Sequence, residues 1–500
     1  MPGTSKGQVE NTMSATSRKH AGALKEAGDR STSETMRTDH VNETSESKML
    51  GDYRLSLKEK LSYAVGDTAQ NIVFAICTSV LVFFYTDYIG ISAGVIGTVI
   101  FISRIFDGVS DLVMGVICDK TNSKYGKARP WVLWMTLPFA LSTVALFLIP
   151  AHASDWFKAV YIFVTYNLVT TVVYTAINLP YSAMAAMMTR NQHERGVTNA
   201  LRMSLSPFGR IAATACAIPL VKLFGDDQRA WIIVSIIFAA VSTVLLLICF
   251  FNTRERVSIP AAQKQRLSVR ASVGALFKNK YWALGMLLWG MLSIYGTLVG
   301  MDLTYYCKYI LGDITYMSVI SVAEWGTTIL TVLSLPLLLK RVGKRNIALA
   351  GAIVAVIGGC ILFIDPASYP LAVVSALVKG MGQGPLFGVI FSMIADAVEY
   401  GQWKTRIRQE GMIFSAASIG SKLGAGITSA VIGGVLAWAG YNGLLEEQSP
   451  VAISAISGMY LYGPVIVWGV TALLLWVYRL DSFYDKMMKD LNEREITGVL

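Results

Sequence analysis

Charge is what this chain of 500 residues has least of: only 15% of its positions are Asp, Glu, Lys or Arg, against 54% hydrophobic. With a mean hydropathy of +0.51, that scarcity excludes an ordinary water-soluble enzyme. Six cysteines, Cys77, Cys118, Cys216, Cys249, Cys307 and Cys360, stand singly in apolar stretches. None has the paired spacing of a zinc or redox site, so they read as small core hydrophobes. No Walker A run, HExxH, GxSxG or Cys/His cluster occurs, which removes an ATP-driven pump and an intramembrane enzyme. The chain is expected not to be an enzyme and to need no cofactor beyond a coupling ion. The 43 basic residues outnumber 33 acidic ones, for a net charge of +10. They fall in separate loops rather than on one exposed face, so nucleic acid is not an expected partner.

Residues 1–54 are polar, rich in Ser, Thr, Glu and Lys, and lack an apolar signal region. Too little apolar surface is present to offset the entropy of ordering, so a disordered cytoplasmic tail is expected. Met49 offers an alternative start.

From Leu61 onward, apolar runs long enough to cross a bilayer as helices recur near 60–87, 92–118, 131–150, 157–184, 203–224, 230–251, 281–306, 315–339, 346–364, 370–398, 411–440 and 453–478. Alternate connections are basic, including Lys120 to Arg129, Arg254 to Lys280, Lys340 to Arg345, and Lys404 to Arg408. The positive-inside rule therefore puts these loops and both termini in the cytoplasm of a multi-pass protein of the cell (inner) membrane. The expected fold is an all-α membrane protein with twelve transmembrane helices in two six-helix halves. Its divisions are a tail at 1–54, a half at 55–252, a middle loop at 253–280, a half at 281–480 and a cytoplasmic tail at 481–500. "YGKARP" (125–130) and "VGKRN" (342–346) occupy equivalent places in the halves, as in the parallel repeat of the major facilitator fold.

Ionisable residues within the spans are functional candidates, since a charge in hydrocarbon costs at least a few kcal/mol. Span 2 holds Arg104, Asp107, Ser110 and Asp111, with the two acids one helical turn apart. In a dry site they must share a proton, hold a cation or pair with bases; a purely structural network with Arg104 is the competing reading. Thr175 and Asn178 precede Pro180 in span 4. Their oxygens suit a hard monovalent cation and equally suit contacts between helices. Asp67, Gln70 and Asn71 in span 1 offer directional groups for a hydroxyl-rich solute. Arg202 and Arg210 are expected to flank the start of span 5. Lys422 sits deep in span 11 among small residues and needs a buried acid, Asp107 or Asp111. Asp302, Glu324, Lys379, Asp396 and Glu399 are further candidates, the last two expected in cytoplasmic gate or helix-cap contacts near the basic loop between spans 10 and 11.

These stretches, with "KLSYAVGD" (60–67), "RIFDGVSDLVMG" (104–115), "INLPYSAM" (177–184), "DAVEYGQWKTRIRQEG" (396–411) and "SKLGAG" (421–426), resemble the glycoside-pentoside-hexuronide:cation symporters of the major facilitator superfamily. The likeness runs from about 55 to 480. It implies inward symport of a sugar or glycoside with H+, Na+ or Li+, in a bilayer and by a monomer. Asp107, Asp111 and Thr175 match cation-site residues, with Ser110 beside them. Asn178 stands where a family aspartate occurs, which shifts the expected ion from Na+ toward H+. Asn71, Gln70 and Arg202 match sugar-binding positions, Lys422 a buried lysine linking the sites, and Tyr174, Ser182, Phe387 and Ser418 the sugar pocket. Ser182 replaces an aromatic, so the pocket differs. "VGDTAQNIVF" is closer to glucuronide and pentoside carriers, and Arg406 stands where the family commonly has Gly. A sodium-dependent lysophospholipid symporter of the same fold and a non-transporting sugar sensor are the alternatives.

Overall fold

The computed structural model describes residues 54–150, 152–189, 191–256, 274, 276–406, 410–445 and 447–497. Most of the tail at 1–54 and of the middle loop at 253–280 lies outside them. The long elements are all helical: α1 (Leu57–Tyr88), α2 (Ala93–Lys120), α3 (Arg129–Ala145), α4 (Asp155–Met188), α5 (Gln192–Leu223) and α6 (Gln228–Asn252). After the middle loop come α7 (Lys280–Tyr309), α8 (Tyr316–Val342), α9 (Lys344–Cys360), α10 (Tyr369–Thr405), α11 (Glu410–Trp438), α12 (Pro450–Val477) and a polar α13 (Tyr484–Thr497). Among the described residues, ten segments are long and apolar enough to cross a membrane. The helices α2 and α3, at the second and third expected spans, are 28 and 17 residues long and fall outside that ten.

Local chemistry sets the helix ends. Ser56 and Glu59 form a reciprocal capping box at the start of α1, and Ser154, Asp227, Asn279 and Ser449 accept the first free N–H groups of α4, α6, α7 and α12. Gly343, at φ 83°, separates α8 from α9 in a conformation that a side chain would strain. Two helices are not regular throughout: α1 widens to π-helix at Ile76–Val80 and Phe84–Tyr88, and α4 at Leu168–Tyr174.

Several expectations are corrected. The helix α5 starts at Gln192 rather than near 203, because Asn191 accepts the Glu194 N–H at 3.2 Å and Lys60 pairs with Glu194 at 2.7 Å. These polar contacts let the helix begin outside the apolar run, so Arg202 and Arg210 lie in its interior. The helix α3 ends at Ala145, short of 150, and α10 continues to Thr405, past 398. Of the six cysteines, Cys216 and Cys360 are exposed rather than in the core. A surface facing lipid is apolar too, so hydropathy alone cannot tell the two environments apart.

Helices α1–α6 pack on one another, as do α7–α12, and the two groups meet where α2 lies on α11, α5 on α8 and α1 on α7. Glycine allows the closest approach: a Cβ on Gly97 would lie 2.6 Å from the Ser429 carbonyl. The basic turns and both described chain ends share one end of the bundle, here the basic end. At the opposite, far end, Asp87 of α1 bonds Lys308 at 2.5 Å and Tyr441 at 2.8 Å, and Thr86 meets the Tyr305 hydroxyl at 3.0 Å. Lys222 reaches Asp313 at 3.3 Å across the same seam. On the basic side of Lys422, the ion pairs Arg256–Glu59, Lys60–Glu194 and Lys344–Asp396 each stay within a half. The far end is therefore a seam of polar contacts between the halves.

Candidate functional site

The acids of α2 meet the hydroxyls of α4 in register. Thr171 donates to Asp107 at 2.5 Å and Thr175 to Asp111 at 3.4 Å, each pair 64 positions apart in sequence. Arg104, one turn before Asp107, donates to its carboxylate at 2.9 Å and to the Tyr166 hydroxyl at 3.0 Å. Lys422 comes from α11 in the other half, with its ammonium on the Asp111 carboxylate and 3.2 Å from the Asp107 carbonyl oxygen. Of the two acids expected for Lys422, the partner is Asp111. Counted locally, two acids face two bases, one supplied by each half. The pairs differ in access: Asp107 and Arg104 are 4% and 7% exposed, whereas Asp111 and Lys422 are 31% and 24%. Asp111 is thus the carboxylate that solvent and a solute ion can reach.

Other expected cation-site residues are engaged elsewhere. Ser110 donates to the Thr171 carbonyl, and Asn178 accepts from Ser182 at 3.1 Å and lies within reach of the Tyr174 hydroxyl.

A second polar stripe runs along α1 and α5, whose backbones touch because Gly209 has no side chain; a Cβ there would be 2.2 Å from the Thr68 carbonyl. Arg202 bonds Asp67 at 3.1 Å and lies 5.1 Å over the Tyr181 ring. One turn on, Asn71 donates to Ser206 at 2.8 Å and back to the Asp67 carbonyl at 3.0 Å. Another turn on, the Arg210 guanidinium lies between the rings of Phe74, at 5.7 Å, and Trp325 of α8, at 4.9 Å. Gln70 is fully buried and donates to its own helix at the Gly66 carbonyl, 3.1 Å away, so it does not face this stripe. Tyr174 packs against Phe74 at 5.6 Å, and Phe387 of α10 meets the edge of Trp325 at 6.1 Å. Ser182 is exposed and Ser418 half-buried.

Between the halves, a small cavity of about 30 Å³ is lined by Ser79, Arg210, Tyr295, Glu324, Trp325 and Gln383, among others. It continues the α1/α5 stripe toward the far end. Tyr166, Asn167 and Thr171 were not singled out from sequence, although Asn167, Thr171 and Thr175 share one helical face of α4. Glu324 is a candidate from sequence as an intramembrane acid, whereas the roles of Ser206, Trp325 and Gln383 depend on which helices meet, and one sequence carries no signal for that.

The comparisons agree with this geometry. A family model described as MFS/sugar transport protein matches residues 62–482. The isoprimeverose transporter of Lactiplantibacillus pentosus is 33% identical over 443 residues, covering 87% of this chain and 91% of that protein. The inner membrane symporter YicJ of Escherichia coli K12 is 30% identical over 451 residues, covering 89% and 96%. A crystal structure of the nucleoside transporter NupG superposes with a TM-score of 0.60 at 17% identity, covering 86% of this chain and 99% of that one, which bears on the fold alone. The chain is accordingly a multi-pass membrane transporter and not an enzyme, and it belongs to the MFS/sugar transport protein family, as the motifs it shares with the glycoside-pentoside-hexuronide symporters had indicated.

Proposed function

We propose that this chain imports a sugar or glycoside by symport with one monovalent cation, H+ in preference to Na+, by alternating access. The observation that carries the reading is the Lys422–Asp111 pair: a lysine of one half neutralises the accessible acid of the other. A proton on Asp111, or a Na+ beside it, competes with Lys422 for the same carboxylate and so weakens the bond between the halves at that depth. The freed ammonium then needs a new partner, and sugar hydroxyls held by Asp67, Asn71 and Arg202 restore the lost contacts when the halves close. Either ligand alone leaves buried polar groups unpaired, which makes binding of the two reciprocal.

The preference for H+ rests on the oxygens available. Asn178 brings no charge and is bonded to Ser182, and Ser110 is spent on a backbone carbonyl, so among the described residues Thr175 supplies the one hydroxyl bonded to Asp111. A hard cation shared with a lysine at such a site is poorly coordinated, whereas a proton needs one oxygen. Tyr174, Ser182, Phe387 and Ser418 complete the sugar-facing set and Arg104 holds Asp107. The carrier acts as a monomer in the cell membrane, with both termini in the cytoplasm. The relatives' names speak of sugar transport and symport, and neither a lysophospholipid carrier nor a sensor is favoured.

The test is uptake into vesicles of a labelled β-glucuronide, xyloside, α-galactoside and β-galactoside under a proton or a sodium gradient, the other being clamped. Accumulation driven by the proton gradient is expected, and Asp111→Asn is expected to abolish accumulation while keeping sugar exchange. Normal accumulation in that variant would remove the coupling role of Asp111.

A further inference from the structure

Arg210 is the membrane-buried cation whose charge the site leaves unanswered. Arg104 has Asp107, Arg202 has Asp67 and Lys422 has Asp111. Among the described residues, the guanidinium of Arg210 has no acid in an ion pair with it: it lies over the rings of Phe74 and Trp325, in the field of Tyr174, and borders the cavity between the halves. The one acid lining that cavity, Glu324, accepts the Tyr295 hydroxyl at 2.6 Å and lies in the field of the fully buried Lys379 of α10. Together Arg210, Glu324 and Lys379 carry one net positive charge inside the bilayer. An uncompensated charge there is costly, and the two rings offset only part of the cost. The rings accept none of its N–H groups in an ordinary hydrogen bond, and the guanidinium fork suits a bidentate partner such as a carboxylate.

We propose that Arg210 is the specificity-determining residue of this carrier and receives an anionic group of the transported glycoside. The inference rests on the transport reading above and narrows its substrate to sugars bearing one carboxylate or sulfonate. Arg202 and Arg210 lie eight residues apart on one face of α5, which places the two cations ~12 Å from each other along the helix. A sugar bonded at the level of Asp67 and Arg202 therefore extends its charged end along the stripe toward Arg210. There Gln383 and Ser79 border the same cavity and supply further polar contacts. Binding of a monoanion brings the cavity to neutrality, the condition for closing the two halves over it in a dry site.

The experiment is competition and uptake in proteoliposomes with p-nitrophenyl β-D-glucuronide and p-nitrophenyl β-D-glucoside, which differ only at C6. A 6-sulfonated glucoside separates carboxylate from sulfonate. In the wild type the glucuronide is expected to bind ~10- to 100-fold more tightly than the glucoside, the range for hydrogen bonds to a charged group. Arg210→Gln should lower the glucuronide-to-glucoside ratio by at least ~10-fold, and Arg210→Lys, which keeps the charge without the fork, by less. The wild-type competition does not depend on either variant folding. Transport of the glucoside with no preference for either anion, or a ratio unmoved by Arg210→Gln, overturns the anion site and leaves sugar transport standing. Transport of none of the three overturns the glycoside reading and this inference with it.

Discussion

The two ends of the bundle spend their charges differently. At the far end the bonds cross from one half to the other: Asp87 to Lys308 and Tyr441, Lys222 to Asp313. At the basic end they stay within a half. Arg256 holds Glu59 and Lys60 holds Glu194 in the first, while Lys344 holds Asp396 in the second. The repeated turns show the same economy. Glu255, after α6, accepts the N–H groups of Lys127, Ala128 and Arg129 at 2.8, 2.9 and 2.6 Å, and Asp481, after α12, accepts that of Arg345 at 3.0 Å. The arginine of each turn also donates its Nε to the end of its own half's last helix, Arg129 to Phe250 and Arg345 to Leu475, both at 2.9 Å. One end is a seam between two bodies, and the other ties each body to itself.

Substitutions at the two ends should therefore read out in different measurements. The Asp87 carboxylate is buried and accepts from Thr86, Lys308, Tyr309 and Tyr441, so Asp87→Ala is expected to weaken the far-end seam by ~3 kcal/mol. Labelling of a cysteine introduced at Ser318 should rise more than tenfold while the melting temperature changes little; unchanged labelling would mean the seam is held elsewhere. Glu255→Ala should do the reverse. It leaves three N–H groups without their acceptor and is expected to cost ~2 kcal/mol of stability, lowering the melting temperature without changing which end is labelled. Lys222→Ala, at a pair 42% exposed on both sides, should shift labelling by at most ~0.5 kcal/mol and less at high salt. An effect as large as that of Asp87 would make the exposed pair part of the seam's core.

Much of this site was legible in sequence. Arg104, Asp107 and Asp111 stand out because charge in an apolar run demands a partner, and Lys422 because its flanking small residues admit a close neighbour. Asp396, expected in a gate or cap contact beside the loop between spans 10 and 11, instead pairs with Lys344 from the turn between α8 and α9 of its own half. Arg406 ends α10 with φ 60° and ψ 16°, the left-handed position where glycine is favoured, which accounts for the glycine common there in the family. What stayed illegible was set by tertiary contact. Gln70 carries a polar side chain at a plausible position, yet its orientation was decided by how α1 packs. Trp325 joins Arg210 only because α8 lies on α5 across the seam. Hydropathy also marked where apolar runs stop rather than where helices do, so the polar first turns of α5 were missed.

The wider turns of α1 bear on how this helix would be mapped by mutation. Each π-helical stretch closes its bonds from i to i+5 rather than i to i+4, so the side chains beyond it are rotated out of step with those before it. Asp67, Asn71 and Phe74 precede the first stretch and face α5, whereas Asp87 lies within the second and faces α7 and the loop after α11. A substitution scan along α1 should accordingly show two wave trains with a slip of phase between them. One regular helical wheel would merge the rail that faces α5 and the seam into a single blurred face.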